Sequence, residues 1–321
     1  MKIVSGAASH AAAAAASSGG AATRPLAVAI GNFDGVHLGH AALLAEVRAR
    51  AARLGAQSAV LTFTPHPARL FAPDRAPPLI MSLERRLELI AAVGIDVAIV
   101  EPFTRDFASI EAAGFVSDVL ARDLGARAVV VGYDFSFGRG RAGTTELLRQ
   151  LGAAAGMEVA VIAPVSVAGI PCSSTRIREL VSVGEMGSAT RLLGRPFELE
   201  GVVTRGAGRG RGLGFPTANV VTEGELRPKL GIYAARARVL DGPDAGATRV
   251  AALSIGTNPT FVAGYAVTVE AYLLDFEGDL YGRRLRLEVS ERLRDERRFE
   301  SIDALVAQIR EDVARVRRVL S

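Results

Sequence analysis

Two histidines, His37 and His40, close the segment Gly31-Asn32-Phe33-Asp34-Gly35-Val36-His37-Leu38-Gly39-His40. The apolar run Leu26 to Ile30 leads into it, and a helical pattern reaching about Leu54 leads out. A junction of this kind, parallel strand into helix, is where open α/β sheets take their ligands. Free backbone N–H groups and the helix dipole favour phosphate there, and Gly35 and Gly39 let the backbone come close. Residues three apart share one face of a helical turn, so both imidazoles can donate to one phosphate chain, with Asn32 beside them. Attack on the α-phosphorus of ATP builds charge on the equatorial oxygens and on departing pyrophosphate, which fixed donors stabilise without a covalent protein intermediate. The plain alternative is a pair of helix-end capping groups.

Three further stretches sit where the same chemistry would need them. In Cys172-Ser173-Ser174-Thr175-Arg176-Ile177-Arg178, Ser174 or Thr175 reads as an ordinary N-cap. Two arginines so close to a helix start are unfavourable without a bound anion, which makes Ser174, Thr175 and Arg178 candidates for a phosphate clamp. Gly132-Tyr133-Asp134-Phe135-Ser136-Phe137-Gly138 follows another apolar run. There, Asp134 and Phe135 are candidates for a pocket holding a flat ring, or else belong to a packed loop. His66, in Thr64-Pro65-His66-Pro67, is either a site residue or part of a turn.

A second cradle lies far along the chain. Gly206 to Gly214 carries five glycines at alternate positions, interleaved with Arg209 and Arg211 and followed by Phe215-Pro216-Thr217-Ala218-Asn219. A glycine-rich loop alone resembles a flexible linker. Here Gly208, Gly210 and Gly214 can approach phosphates, while Thr217 and Asn219 offer a hydroxyl and an amide oxygen to a magnesium ion bridging ATP phosphates. Phosphoryl transfer to an alcohol also needs a proton acceptor. No histidine follows His66, so a carboxylate is required. Glu270, on an otherwise apolar or small stretch from Val267 to Leu274, is suited to it, or is an exposed strand residue.

The elements that position these residues fall into two groups. Apolar runs at Leu26–Ile30, Ser58–Phe63, Val97–Val100, Ala128–Gly132 and Glu158–Ile162 alternate with helical stretches such as Leu83–Val93 and Ile110–Leu124, the signature of a parallel Rossmann-like sheet. Beyond Arg195, short alternating segments at Leu199–Thr204, Gly231–Leu240, Thr248–Ile255, Val267–Phe276 and Arg284–Ser290 predict an antiparallel barrel. The final stretch, Ser301–Val319, places Ile302, Leu305, Val306, Ile309, Val313 and Val316 at helical spacing, so one face of a helix should pack on the barrel. The domain boundary falls between Gly184 and Arg195.

Composition narrows the partners. At 321 residues the chain exceeds what one hydrophobic core usually supports, so two domains are expected. The net charge of +4 is small beside 38 basic and 34 acidic residues, and no block of like charges forms a nucleic-acid arm; neither nucleic acid nor membrane is an expected partner. Cys172 is the single cysteine, which precludes an internal disulfide and suits a reducing cytoplasm. The Ala/Ser/Gly-rich segment His10 to Arg24 reads as a flexible insert rather than a signal peptide, for it has no Leu-rich or Val-rich centre.

Taken together, the motifs resemble those of the bacterial bifunctional riboflavin kinase/FMN adenylyltransferase family, over nearly the whole chain after Leu26. The resemblance implies an α/β Rossmann-like nucleotidyltransferase domain followed by an antiparallel β-barrel riboflavin kinase domain with a C-terminal helix. The expected divisions are 1–25, 26–186 and 195–321. It implies that riboflavin and ATP give FMN, that FMN and ATP then give FAD, and that Mg2+ assists. His37 to His40 would hold ATP phosphates, Asp134 to Gly138 help seat the substrate, and Ser174 to Arg178 complete the adenylyltransferase site. Thr217 and Asn219 would meet metal and nucleotide, Glu270 serve as the base, and the region of Arg297 border the flavin. Pro171 stands where members often carry Arg, Tyr272 where many have His, and Asn258 where many have Arg. A kinase with weakened adenylyltransferase, a non-catalytic flavin sensor and a nucleotidyltransferase for another metabolite are the rival readings. Self-association is left open.

Overall fold

A computed structural model describes residues 1–16, 24–206, 209–222, 226–257 and 267–320. Contacts divide them into two units, Met1–Pro77 with Leu83–Cys172, and Pro78–Ser82 with Ser173–Ser321.

The first unit is built on six parallel strands: β1 Lys2–Ser5, β2 Leu26–Ile30, β3 Gln57–Thr64, β4 Val97–Pro102, β5 Ala126–Gly132 and β6 Glu158–Ile162, in the order β1-β4-β3-β2-β5-β6. Every residue of β2 is buried, as a continuous apolar run must be when both sheet faces are covered. Between the strands lie helices α1 Ala7–Ala16, α2 Leu38–Leu54, α3 Pro67–Phe71, α4 Leu83–Ala92, α5 Arg105–Ala108, α6 Ala112–Gly114 and α7 Thr145–Ala154, with a small hairpin, β7 Ser166–Val167 and β8 Ile170–Pro171. From β2 the chain steps outward to β3 and β4, then returns to the opposite side for β5. The C-terminal ends of β2 and β5 therefore flank the switch point where such sheets bind ligands.

Two sequence expectations are corrected. Part of the segment read as a flexible insert forms α1, whose first N–H groups include Ala7 donating to Glu101 Oε2 at 2.6 Å; alanine is the strongest helix former. The stretch read as one helix from 110 to 124 comprises α6 and a π-helical run, Phe115–Asp123, meeting at Gly114, a residue poorly disposed to regular helix.

In the second unit, helices α8 Ser174–Val183 and α9 Met186–Leu193 precede a closed six-stranded barrel. Its strands are β9 Phe197–Thr204, β10 Ala218–Thr222, β11 Gly231–Val239, β12 Thr248–Thr257, β13 Val267–Leu273 and β14 Arg284–Arg294, in cyclic order β10-β13-β12-β11-β14-β9. Strand β10 carries the Thr-Ala-Asn end of the glycine-rich segment into the sheet, and a short turn of helix, α10 Arg209–Gly212, precedes it. Gly201 permits this closure, because a Cβ there would lie 2.2 Å from the Val221 carbonyl oxygen. Helix α11, Ile302–Leu320, buries Val316 and Leu320 against Ala234, Leu274 and Leu293. Ile302, expected on that packing face, is 66% exposed at the helix start.

Candidate active sites

In the first unit, the turn from β2 into α2 is held in an unusual conformation. Phe33, Gly35 and Val36 all have positive φ, at 50°, 89° and 38°. For a β-branched residue such as Val36 this is costly, and strain of this kind collects at functional sites. Two buried anchors hold the turn: the fully buried Phe33 ring and Asp34, which faces the equally buried Arg86 of α4 at 3.9 Å. His37 is the N-cap of α2 and His40 its third residue. His40 N–H donates to His37 Nδ1 at 3.2 Å, His37 N–H donates to His40 Nδ1 at 3.4 Å, and the rings stack at 3.6 Å. The histidines are thus helix caps as well as candidate donors, since an accepting Nδ1 puts the proton of each neutral ring on Nε2. The fit at Gly39 is tight: a Cβ there would lie 3.0 Å from the His37 ring and 3.2 Å from the Cys172 carbonyl oxygen. Asn32 Oδ1 is buried and takes no hydrogen bond from any described residue.

Asp134 and Phe135 lie beyond β5, across the switch point from this turn. Asp134 is exposed with its carboxylate curled over Gly132. Phe135 is stacked on the buried Phe137 at 5.6 Å and packs on the core, so its ring is partly engaged in packing. His66 caps α3, accepting from Ala68 N–H at 3.2 Å.

In the second unit, one row of paired residues crosses five barrel strands. Asn219 pairs with Glu270, Glu270 with Ser254, Ser254 with Ile232, and Ile232 with Arg294. All five line a cavity of about 500 Å³, closed on its apolar side by Phe215, Phe299 and, from α11, Leu305, Ile309 and Val313. Thr217 Oγ1 stands 3.4 Å from Glu270 Oε2. Two glycines seat this polar end: a Cβ at Gly206 would lie 2.0 Å from Asn219 Nδ2, and one at Gly210 would lie 3.3 Å from Thr217 Oγ1 and 2.4 Å from the Phe215 carbonyl oxygen. The far end is fixed by Arg294, which grips the buried Asp312 of α11 through three contacts of 2.7 to 3.1 Å.

Comparison with known proteins follows this division. A family model for FAD synthetase matches residues 20–176, and one for riboflavin kinase matches residues 193–320. Bifunctional riboflavin kinase/FMN adenylyltransferases from Escherichia coli K12 and Pseudomonas fluorescens are each 38% identical to the chain, over 88% and 90% of its length and 89% and 91% of theirs. The chain belongs to the bifunctional riboflavin kinase/FMN adenylyltransferase family. A solved structure described as a macrolide-efflux protein from Streptococcus pneumoniae is 29% identical, with a TM-score of 0.82 over 92% of this chain and 95% of that one. No helix among the described residues here is long and apolar enough to cross a membrane.

For this family member, the second-unit residues picked from sequence converge well: Gly210, Thr217, Asn219, Glu270 and Arg297 all line the one cavity. Arg297 lays its guanidinium over the Phe299 ring at 5.0 Å. Gly214 lies outside that lining, in a turn with φ of 83°. Gly208 and Asn258 lie outside the described residues. The segment at α8 departs from expectation. Ser173, rather than Ser174 or Thr175, is the N-cap, accepting from Arg176 N–H at 3.1 Å. Arg176 pairs with Glu179 at 2.9 Å, while Arg178, a turn deeper, donates to the Pro78 carbonyl at 2.8 Å.

Sequence reasoning missed Gly256 and Glu296. Glu296 follows β14 and lines the cavity, with Oε1 only 2.0 Å from where a Cβ at Gly256 would stand. Burial pushes its carboxyl above the usual range, Arg294 pulls it down and the neighbouring Glu270 pushes it up. Nothing in Asp295-Glu296-Arg297-Arg298 marks one charge above the others; only the fold brings Glu296 back toward β12.

Proposed function

We propose that this chain makes FAD in two ATP-dependent steps, with kinase chemistry in residues 195–321 and adenylyl transfer in residues 26–186. The observation that carries the reading is the Thr217 hydroxyl beside the Glu270 carboxylate, 3.4 Å apart in a cavity with one polar and one apolar end. In the first step the riboflavin 5′-oxygen attacks the γ-phosphorus of ATP, the bond to the β,γ-bridging oxygen breaks, and ADP leaves. Glu270 takes the hydroxyl proton. Phe215, Phe299 and the apolar face of α11 suit a flat ring, with Arg297 beside it. Gly208, Gly210 and Gly214 serve the phosphates.

The Thr217 hydroxyl and the Asn219 amide oxygen are hard donors, which suits Mg2+, an ion that binds through few protein ligands and takes the rest from phosphates and water. Among the described residues no group of three or more His, Cys, Asp or Glu could hold a metal unaided, so Thr217 and Asn219 would hold it together with ATP. When bound, it offsets charge on the transferring phosphoryl group.

In the second step an FMN phosphate oxygen attacks the α-phosphorus, the bond to the α,β-bridging oxygen breaks, and diphosphate leaves. His37 and His40 donate through Nε2 to the phosphate chain, with Asn32, Gly35 and Gly39 in the same turn. Asp134 and Phe135 serve the flavin side, and Ser174, Thr175 and Arg178 the nucleotide. The single cysteine and absent disulfide suit the cytoplasm. Chromatography of the purified chain with riboflavin, ATP and Mg2+ should reveal FMN and then FAD; if neither forms, the reading is wrong.

A further inference from the structure

The cavity holds a second carboxylate that the kinase step leaves without a task. Glu296 comes two residues after Arg294, and its Oε1 rests against Gly256, two residues after Ser254 on β12. Alternate residues of a strand share a face, so Gly256 turns to the same side as Ser254, and only a glycine there leaves room for the carboxylate. No described residue donates a hydrogen bond to Glu296 or forms an ion pair with it.

Strand order places Glu296 relative to the reacting groups. β13, bearing Glu270, runs between β10, bearing Asn219, and β12, bearing Gly256. Strands are spaced about 4.8 Å apart, so β10 and β12 are separated by about 10 Å. Glu296 lines the same cavity as Glu270 and the apolar wall of Phe215, Phe299 and α11, against which a flat ring would lie. A polyol joining that ring to a hydroxyl at Glu270 lies within its reach.

We infer that Glu296 is a substrate-binding residue of the kinase site, its carboxylate accepting hydrogen bonds from the ribityl hydroxyls of riboflavin. The inference rests on the kinase reading of this cavity. A carboxylate acceptor recognises hydroxyl donors strongly, and its loss leaves those donors unpaired in the bound complex.

The test follows riboflavin binding by its fluorescence and FMN formation by initial rates, using riboflavin and its 2′-, 3′- and 4′-deoxy analogues. Glu296→Gln should raise the riboflavin Kd and KM about 10-fold or more, with a smaller change in kcat and in the KM for ATP. At least one deoxy analogue should bind wild type correspondingly weakly, and Glu296→Gln should no longer distinguish that analogue from riboflavin. Urea unfolding followed by circular dichroism, with a barrel transition like that of wild type, checks that the variant is folded, and Glu296→Asp serves if it is not. Unaltered riboflavin affinity in the variant overturns the inference. So does equal binding of riboflavin and all three analogues by wild type, or a variant that weakens binding yet still discriminates the analogue. If wild type makes no FMN at all, it is the kinase reading that falls.

Discussion

His37 and His40 hold each other through the backbone, each Nδ1 accepting the other's amide N–H, at 3.2 and 3.4 Å. The reciprocal bonds cap α2 and also select the Nε2 proton as the donor of each neutral ring. Capping and phosphate binding are therefore separable by substitution. Asparagine is among the best N-caps but falls short of the imidazole Nε2. His37→Asn should leave the thermal midpoint nearly unmoved while FAD formation from FMN and ATP falls about 100-fold, as for loss of a preorganised donor. FMN formation from riboflavin should persist. An adenylyl transfer rate equal to wild type would show that the ring serves the helix alone.

Glu270 stands between Asn219 and Ser254 in the row that floors the cavity. Thr217 Oγ1 stands 3.4 Å from its carboxylate, long for a hydrogen bond. Glu270→Gln keeps shape and pairing but cannot take a proton, so FMN formation should drop about 10²- to 10⁴-fold. FAD synthesis from supplied FMN should continue at its former rate. Riboflavin turnover comparable to wild type in the glutamine variant would assign the proton to another group.

Gly206→Ala separates position from stability. The new Cβ would meet the end of the Asn219 side chain at 2.0 Å rather than backbone, so the amide must swing away while the strand stays paired. Kinase activity should fall, with a raised Mg2+ requirement, at nearly unchanged denaturant midpoint. Gly210→Ala should behave differently, since its Cβ would meet the Phe215 carbonyl oxygen at 2.4 Å and the backbone itself must shift. Metal titration of activity beside urea unfolding distinguishes the two. Equal loss of stability in both variants would mean that the Asn219 amide cannot yield.

The contrast between these glycines explains what could be read from sequence. The strand-to-helix turn at His37 and the Thr217 to Asn219 stretch are local, with their chemistry written within about ten consecutive residues, although β10, which carries Asn219, is not among the segments expected in the barrel. The alternation of Leu26–Ile30 with helix likewise betrays a buried parallel strand, and the alternating segments betray the barrel. What stayed hidden depends on register. Asn219 meets Glu270 because β10 pairs with β13, and Glu296 meets Gly256 because the chain after β14 returns across β11 to β12. Asp34 needs Arg86 from another helix, and Ser173 takes the cap from its neighbours through one backbone geometry. Helix α1 was concealed by composition, because alanine-rich sequence fits linker and helix alike.

Cys172 offers a probe of the first site that needs no substitution. Burial pushes its thiol above the usual range, partly offset by the Gly39 N–H bonded to it. A raised pKa means less thiolate at a given pH, so alkylation by iodoacetamide at neutral pH should be slower than for a free thiol, accelerating as pH rises through the elevated value. As the chain's only cysteine, it gives a single labelling event readable by mass. The added group must displace Gly39, whose Cα neighbourhood already touches the His37 ring and the Cys172 carbonyl. Labelled protein should therefore lose FAD formation from FMN in proportion to the label while still phosphorylating riboflavin. Full labelling with adenylyl transfer intact would place Gly39 and its histidines beyond the reach of the thiol.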